Sequence, residues 1–83
     1  MDKVLVKLYL PIIEAEYDVW IPVSKTIRDV IVLLSKGVNE LKNGYYQPEE
    51  MPMLYNRETG KPYELDVSVQ EANIKNGSEL VMI

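Results

Sequence analysis

The sequence predicts an α+β domain in which one main α-helix packs on one face of a mixed sheet of four to five strands. Three observations support this class. Apolar and polar residues alternate in two stretches near the start of the chain, apolar residues then recur every three or four positions, and short alternating stretches follow. The 83 residues suffice for one domain over positions 1–83. We therefore expect the order strand, strand, helix and three further short strands.

The first two strands should form an antiparallel hairpin. Residues 3–10 alternate with period two, and Pro11 cannot donate to a neighbouring strand, so pairing should weaken there. Residues 16–22 alternate again after a short link. The side chains expected to face the helix are Val4, Val6, Leu8, Tyr17, Val19 and Ile21.

The single long helix begins where the period changes to three and four. Thr26 can cap the first turn by accepting the backbone N–H of Asp29, and Asn43-Gly44 supplies a stop because either residue can adopt the left-handed conformation. Gly37 costs about 1 kcal/mol inside a helix, and it should mark a close backbone approach or an early end. The predicted buried stripe consists of Ile27, Val30, Ile31, Leu34, Val38 and Leu41.

The following part of the chain reads as a loop and a second hairpin. Residues 44–52 are predicted to be a loop, and residues 53–56 a short strand. The turn at 57–60 should lead into a returning strand at 61–65.

The last part contains two turn signals and a terminal strand. Ser68 and Glu71 have the spacing of a capping box over one helical turn, and Asn76-Gly77 predicts a tight turn. The final strand, residues 78–83, should lie parallel to the first strand at the centre of the sheet.

Composition excludes several kinds of chemistry. The chain has no cysteine and no histidine, so we expect no thiolate metal site, no imidazole base, no catalytic centre, no metal and no cofactor. Thirteen acidic residues against nine basic ones give a net charge of −4, which argues against nucleic acid as a partner. The adjacent acids Glu49 and Glu50 are interpreted as solvated loop charge. Neither a secretory signal nor a membrane-spanning segment is expected, and a cytoplasmic location is favoured.

Binding through an exposed sheet face is the favoured functional hypothesis. If the alternation holds, Leu5, Trp20, Leu54 and Val81 point away from the helix and form one apolar surface. The same alternation places Met53, Tyr55, Leu80 and Met82 inward. The alternative is that Trp20 folds over the sheet edge or is covered by the long loop. A free face and an exposed edge strand also leave a homodimer open.

Two helical residues lie off the main stripe. Val32 and Leu33 are expected to pack under the loop that contains Tyr45 and Tyr46, because compact loops are usually packed by their own aromatic residues. The alternative is that they add a second contact surface.

Several segments carry a family resemblance. Residues 67–83, 4–8 and the helix entry at 22–31 resemble ubiquitin in pattern, which implies the ubiquitin-like β-grasp fold. The segments Y-D-V-W-I-P (17–22) and N-G-S-E-L-V-M-I (76–83) resemble the YukD/EsaB family of bacterial ubiquitin-like proteins. Members of that family are accessory components of type VII secretion systems, the WXG100 or ESX-like systems of Gram-positive bacteria. The resemblance implies a non-catalytic, cytoplasmic protein-binding module whose partners are secretion-system components.

Two other roles of ubiquitin-like proteins remain as alternatives. Conjugated modifiers and sulfur carriers need a flexible Gly-Gly tail, whereas this sequence ends in Met82-Ile83, so this role is disfavoured. The other alternative is an auxiliary subunit of a multicomponent oxygenase.

Overall fold

The computed structural model describes residues 2–44, 46 and 50–83. Over these residues the elements are β1 (Lys3–Leu10), β2 (Ala15–Pro22), the helix α1 (Ile27–Leu41), β3 (Leu54–Asn56) and β4 (Glu79–Met82). The four strands form one sheet in the order β2-β1-β4-β3. Strands β1 and β2 are antiparallel, β3 and β4 are antiparallel, and β1 and β4 are parallel, so the predicted mixed α+β class is confirmed.

The predicted hairpin forms with the expected phase. A short 3-10 turn, Pro11–Ile13, joins β1 to β2, and Glu14 adopts a left-handed conformation with φ 48°. Leu8 lies opposite Tyr17 in the register of the two strands, so both side chains point to the same face. Leu8 is fully buried against the helix, and the alternation expected along both strands is confirmed.

The helix begins and ends at its predicted signals. The Thr26 hydroxyl oxygen accepts the Asp29 backbone N–H at 3.2 Å. Asn43 and Gly44 follow the last turn with φ values of 53° and 86°, in the left-handed region that stops a helix. The buried face consists of Ile27, Val30, Ile31, Leu34 and Val38.

Two expectations about the helix are wrong. Leu41, assigned to the buried stripe, is 64% exposed because it lies in the last turn, on the flank beside β2. Gly37 marks neither an end nor a close approach, since the helix continues to Leu41 and a Cβ added at Gly37 meets no atom within 4 Å.

The predicted strand at 61–65 is absent from the sheet. Tyr55 and Pro62 form only an isolated bridge, although the Asn56 N–H donates to the Lys61 carbonyl and the Tyr63 N–H donates to the Leu54 carbonyl, both at 2.9 Å. Because Pro62 has no N–H, the ladder cannot extend along this segment.

The predicted capping box at Ser68 and Glu71 forms. The Ser68 N–H donates to the Glu71 carboxylate at 3.0 Å, and the Glu71 N–H donates to the Ser68 hydroxyl at 3.0 Å. The first of these bonds is the main cause that lowers the pKa of Glu71. This turn holds Val69, which is fully buried, under the start of the helix, where the Val69 N–H donates to the Lys25 carbonyl at 2.9 Å.

One apolar core lies between the sheet and α1. It includes Tyr46, which is only 4% exposed, so this loop residue contributes to the core. Of the predicted acidic pair, Glu50 is exposed and Glu49 lies outside the described residues. The other core residues from outside the helix are Val6, Leu8, Leu10, Ile21, Leu54, Val69, Ile74, Leu80 and Met82.

Candidate protein-interaction surfaces

The sheet face turned away from α1, here called the outer face, differs in one residue from the predicted surface. Leu54 was expected there but is fully buried, and this prediction is wrong. Leu54 lies opposite Met82 in the antiparallel pair of β3 and β4, and Met82 points into the core. Directly opposite residues of two paired strands point to the same face of the sheet. An error of one residue in the predicted alternation therefore moves every side chain of the short strand β3 to the opposite face. The prediction that Met53 and Tyr55 point towards the helix is therefore wrong as well.

Leu5 and Trp20 form an apolar patch on the outer face. They are direct cross-strand partners in β1 and β2, and their exposed fractions are 36% and 62%. A shallow depression beside them ends at the Asn76-Gly77 turn. The Asn76 side-chain oxygen accepts the Leu5 N–H at 2.8 Å, which holds this turn against β1. We call the Leu5–Trp20 pair the outer patch.

Val81 lies on the outer face but apart from the outer patch. It is half-buried and sits between Tyr9 of β1 and Tyr55 of β3. Tyr9 lies four positions after Leu5 on β1, which corresponds to about 13 Å along the strand. The predicted surface is thus divided into two apolar regions.

A band of charged side chains separates these regions. The Lys7 ammonium lies 3.9 Å from Glu16 and 4.0 Å from Asp18. The Arg57 guanidinium lies 3.4 Å from Glu16 and 3.7 Å from Glu79. Such exposed pairs stabilise a fold by only about 0–1 kcal/mol each, but they keep this part of the face polar.

Arg57 also covers an aromatic ring. Its guanidinium carbon lies 4.8 Å from the centre of the Tyr9 ring, within the range of a cation–π contact. The side chain reaches this position from the turn after β3, across β4. A partner that approached the middle of the outer face would therefore meet the charged side chain first.

A second apolar surface lies between the edge strand β2 and the helix, and it includes Leu33, for which a second contact surface was the alternative expectation. A groove of about 300 Å³ lies there, and we call it the β2–α1 groove. Leu33, Gly37 and Leu41 line its helical side at a spacing of four residues, which places them along one line of the helix. The four-residue spacing of these positions is the sequence signal from which the groove could have been predicted. The strand side consists of Tyr17, Val19, Trp20, Ile21 and Pro22.

Two exposed leucines and a tryptophan make this groove accessible. Leu33 and Leu41 are 51% and 64% exposed, and Trp20, which is part of the outer patch, also lines the groove. The expectation that Leu33 packs under the loop is wrong. Val32 is also half exposed, beside a depression lined by Met51.

Of the two tyrosines in the loop after α1, Tyr46 is buried in the core, whereas Tyr45 lies outside the described residues. Burial raises the pKa of Tyr46. Burial is also the main cause that raises the pKa of Tyr63.

Over the described ranges, the structure brings together no group of three or more acidic, histidine or cysteine side chains that could hold a metal ion. No helix in the described part of the chain is long and apolar enough to cross a membrane.

Comparison with known proteins gives matches at the level of structure only. No family model matches the chain, and no curated protein matches it in sequence. The EccD5 ubiquitin-like domain from Mycobacterium xenopi is 21% identical, with a TM-score of 0.80 over 100% of this chain and 94% of that chain. The chain has the ubiquitin-like fold.

Chains of further solved structures match as well. The ubiquitin-like domain of the Mycobacterium tuberculosis type VII secretion system protein EccD1 is 19% identical, with a TM-score of 0.69 over 100% of this chain and 99% of that chain. In the ESX-5 inner membrane complex, a matching chain is 19% identical with a TM-score of 0.80, and this chain spans 21% of its length. A chain of a toluene 4-monooxygenase complex is 11% identical, with a TM-score of 0.76 over 98% of this chain and 96% of that one. Because such unlike systems use one ubiquitin-like fold, the fold alone does not determine the role.

Proposed function

We propose that this ubiquitin-like protein is a non-catalytic binding module of a type VII secretion apparatus, acting at its cytoplasmic side. The observation that carries the binding role is the exposure of Trp20, which is 62% accessible and borders two apolar surfaces. A large aromatic side chain in such a position loses solvent contact when a partner binds, and tryptophan is enriched at the energetic centres of interfaces.

Two lines of support connect this binding role to secretion. The segments at 17–22 and 76–83 resemble the YukD/EsaB family, and the first of them contains Trp20. The structural matches include ubiquitin-like domains of EccD proteins and a chain of the ESX-5 inner membrane complex. The partner we propose is accordingly another protein component of such an apparatus.

Within this proposal, the outer patch of Leu5 and Trp20 is a contact surface, and Val81 is a separate apolar contact beyond the charged band. Leu5 contributes the aliphatic surface beside the indole, since the two residues are cross-strand partners. Leu54 has no part in the contact because it is buried in the core.

Site-specific photo-crosslinking in the native host tests this proposal. A photoreactive amino acid at Trp20 should crosslink to a secretion-system protein that mass spectrometry then identifies. The same amino acid at Glu58 is the matched control, because Glu58 is exposed in the turn after β3, at the opposite edge of the sheet. Crosslinks from both positions to the same abundant proteins would indicate non-specific contact.

A secretion assay provides the functional readout. In a strain that lacks the gene, Trp20→Ala should fail to restore export of a WXG100 substrate, whereas Glu58→Ala should restore it at equal protein abundance. A folded Trp20→Ala variant that retains every partner interaction and full export would refute the proposal.

A second role has one observation in its favour. The toluene 4-monooxygenase match shows that the ubiquitin-like fold also occurs in an oxygenase complex. Co-purification with a di-iron protein in place of a secretion component would favour that role.

A further inference from the structure

We propose that Asn43, at the end of α1, is a site of spontaneous covalent modification, at which the side-chain amide is lost and an aspartyl or isoaspartyl residue forms. The fold protects a second site of the same local sequence, Asn76-Gly77, from this reaction. The inference goes beyond the proposed binding role and does not depend on it.

The reaction needs only the chain itself and water. The backbone nitrogen of the residue after an asparagine attacks the side-chain carbon Cγ, and the new N–Cγ bond closes a succinimide ring. The Cγ–Nδ2 bond breaks, and ammonia leaves with the proton of the attacking nitrogen. Water then opens the ring at one or the other carbonyl carbon, which gives aspartate or isoaspartate. Glycine after the asparagine favours ring closure, because it has no Cβ and permits close approach of the backbone.

The two Asn-Gly pairs of this chain are matched in local sequence. Both are preceded by lysine, so residues 42–44 and residues 75–77 each read K-N-G. The other asparagines, Asn39, Asn56 and Asn73, are followed by residues with large side chains, which hinder ring closure. Local sequence therefore predicts similar reactivity at Asn43 and Asn76, and a difference between them in the folded protein must come from the structure.

Two hydrogen bonds to the inner strand β1 hold the Asn76-Gly77 pair. The Asn76 side-chain oxygen accepts the Leu5 N–H at 2.8 Å, and the Gly77 N–H donates to the Leu5 carbonyl at 2.8 Å. The attacking nitrogen and the side-chain carbonyl of this site are thus both bound to one residue. Ring closure would move Cγ of Asn76 onto the Gly77 nitrogen, and this movement would break both bonds.

The Asn43-Gly44 pair is held less firmly. The Gly44 N–H donates to the Asn39 carbonyl at 2.9 Å, in the last turn of α1. The side-chain hydrogen bonds formed among the described residues do not involve Asn43, which is exposed and has a φ of 53°. Bonds at a helix end open at a lower free-energy cost than bonds to an inner strand.

The difference in hydrogen bonding sets the expected difference in rate. Ring closure at Asn76 requires one more hydrogen bond to open than ring closure at Asn43 does. We therefore expect Asn43 to react about tenfold faster than Asn76 or more, which corresponds to about 1.4 kcal/mol of activation free energy.

Modification of Asn43 weakens the end of the helix. The new carboxylate lies at the negative end of the helix dipole, three positions after Glu40, and Lys42 offsets only part of this repulsion. Isoaspartate also adds one carbon to the backbone, which disturbs the left-handed turn that leads to the buried Tyr46. Loss of the Gly44 hydrogen bond alone should lower the Tm by about 4–8 °C.

Peptide mapping of the aged protein tests the proposal. The folded wild-type protein is incubated in mildly alkaline buffer at physiological temperature, and a second sample is incubated in concentrated urea. Trypsin cleaves after Lys42 and Lys75, so mass spectrometry measures the two sites in separate peptides that both begin with Asn-Gly. We expect Asn43 to react about tenfold faster than Asn76 or more in the folded protein, and the two rates to become equal in urea.

The variant Asn43→Gly supplies the matched control. Glycine is the preferred residue at a left-handed helix end, so this variant keeps the turn and removes the reactive amide. Aged wild-type protein should accept methyl groups from purified isoaspartyl methyltransferase and should show a lowered Tm. Asn43→Gly, aged in the same way, should accept few methyl groups and keep its Tm.

Three results of the mapping would overturn the proposal: equal rates at the two sites in the folded protein, a faster reaction at Asn76, or no reaction at Asn43 while the urea sample reacts. A rate difference that persists unchanged in urea would also overturn it, because local sequence rather than the fold would then cause the difference. An equal fall in Tm for aged Asn43→Gly would refute the effect assigned to the helix end.

Discussion

Truncation of Leu54 tests the register of β3 and β4, on which the description of the outer face depends. Leu54 is fully buried, lies opposite Met82 and packs in the core. Removing a buried leucine side chain to alanine costs about 2–5 kcal/mol, because contacts are lost and the site collapses only partly. A loss of about 3 kcal/mol corresponds to a fall in Tm of about 12–24 °C for a domain of this size.

Far-UV circular dichroism during thermal and urea unfolding measures this effect. Leu5→Ala is the matched control on the outer face, and it should cost about 1 kcal/mol or less because Leu5 is 36% exposed. Met53→Ala tests the alternative phase, in which Met53 rather than Leu54 would face the core. If Met53→Ala lowers the Tm more than Leu54→Ala does, the register is shifted by one residue and the reasoning is refuted.

Three further predictions concern single residues. Glu71 has a lowered pKa in the folded chain, so the stability from its hydrogen bond to Ser68 is present above its unfolded pKa of 4.5 and is lost as the pH falls through the folded pKa. In urea unfolding at pH 2 to 6, the free energy of unfolding of Glu71→Gln should therefore fall less steeply towards acid pH than that of the wild-type protein. Identical declines in the two proteins would contradict this role of Glu71. Gly37→Ala should raise the free energy of unfolding by about 0.5–1 kcal/mol, since alanine is the better helix former and its Cβ meets no neighbour. A lower free energy of unfolding would mean that the site is more crowded than described. Trp20, the only tryptophan, should fluoresce like an exposed indole and be quenched readily by iodide, whereas a blue-shifted, protected emission would show that it is covered.

The sequence predicted the elements with strong local signals. The first hairpin was found because residues 3–10 and 16–22 alternate clearly, and α1 was found because Thr26 and Asn43-Gly44 lie at the two ends of a clear apolar stripe. The place of β4 beside β1 was also predicted, from the order of the elements and their ubiquitin-like pattern.

Short segments were harder to read because their signals are ambiguous. Met53 and Leu54 are both apolar, so alternation over three or four residues cannot determine which one faces the core. The segment at 61–65 looked like a strand by composition, but Pro62 lacks the N–H that a continuing ladder needs. Both errors concern the second half of the sheet, where hydrogen bonds to β4 set the phase.

The candidate site was only partly predictable for a different reason. Exposure of Leu5 and Trp20 follows from the alternation of the first hairpin. The β2–α1 groove depends on how far the helix lies from the sheet edge, which no local pattern encodes. The division of the outer face also depends on Arg57, which reaches Glu16 from the turn after β3, 41 positions away in sequence.

The parallel pairing of β1 with β4 has a consequence for how the chain is made. Leu8 and Leu80 are register partners, so a ribosome must synthesise the residues up to Leu80 before the sheet can close. The first hairpin can form early from local contacts, but one edge of β1 then remains unpaired until β4 has emerged from the ribosome. During that interval the nascent chain exposes an apolar strand edge that can pair with other chains. We therefore expect nascent chains stalled before residue 79 to bind chaperones and to aggregate, whereas chains in which β4 has left the ribosome should do neither.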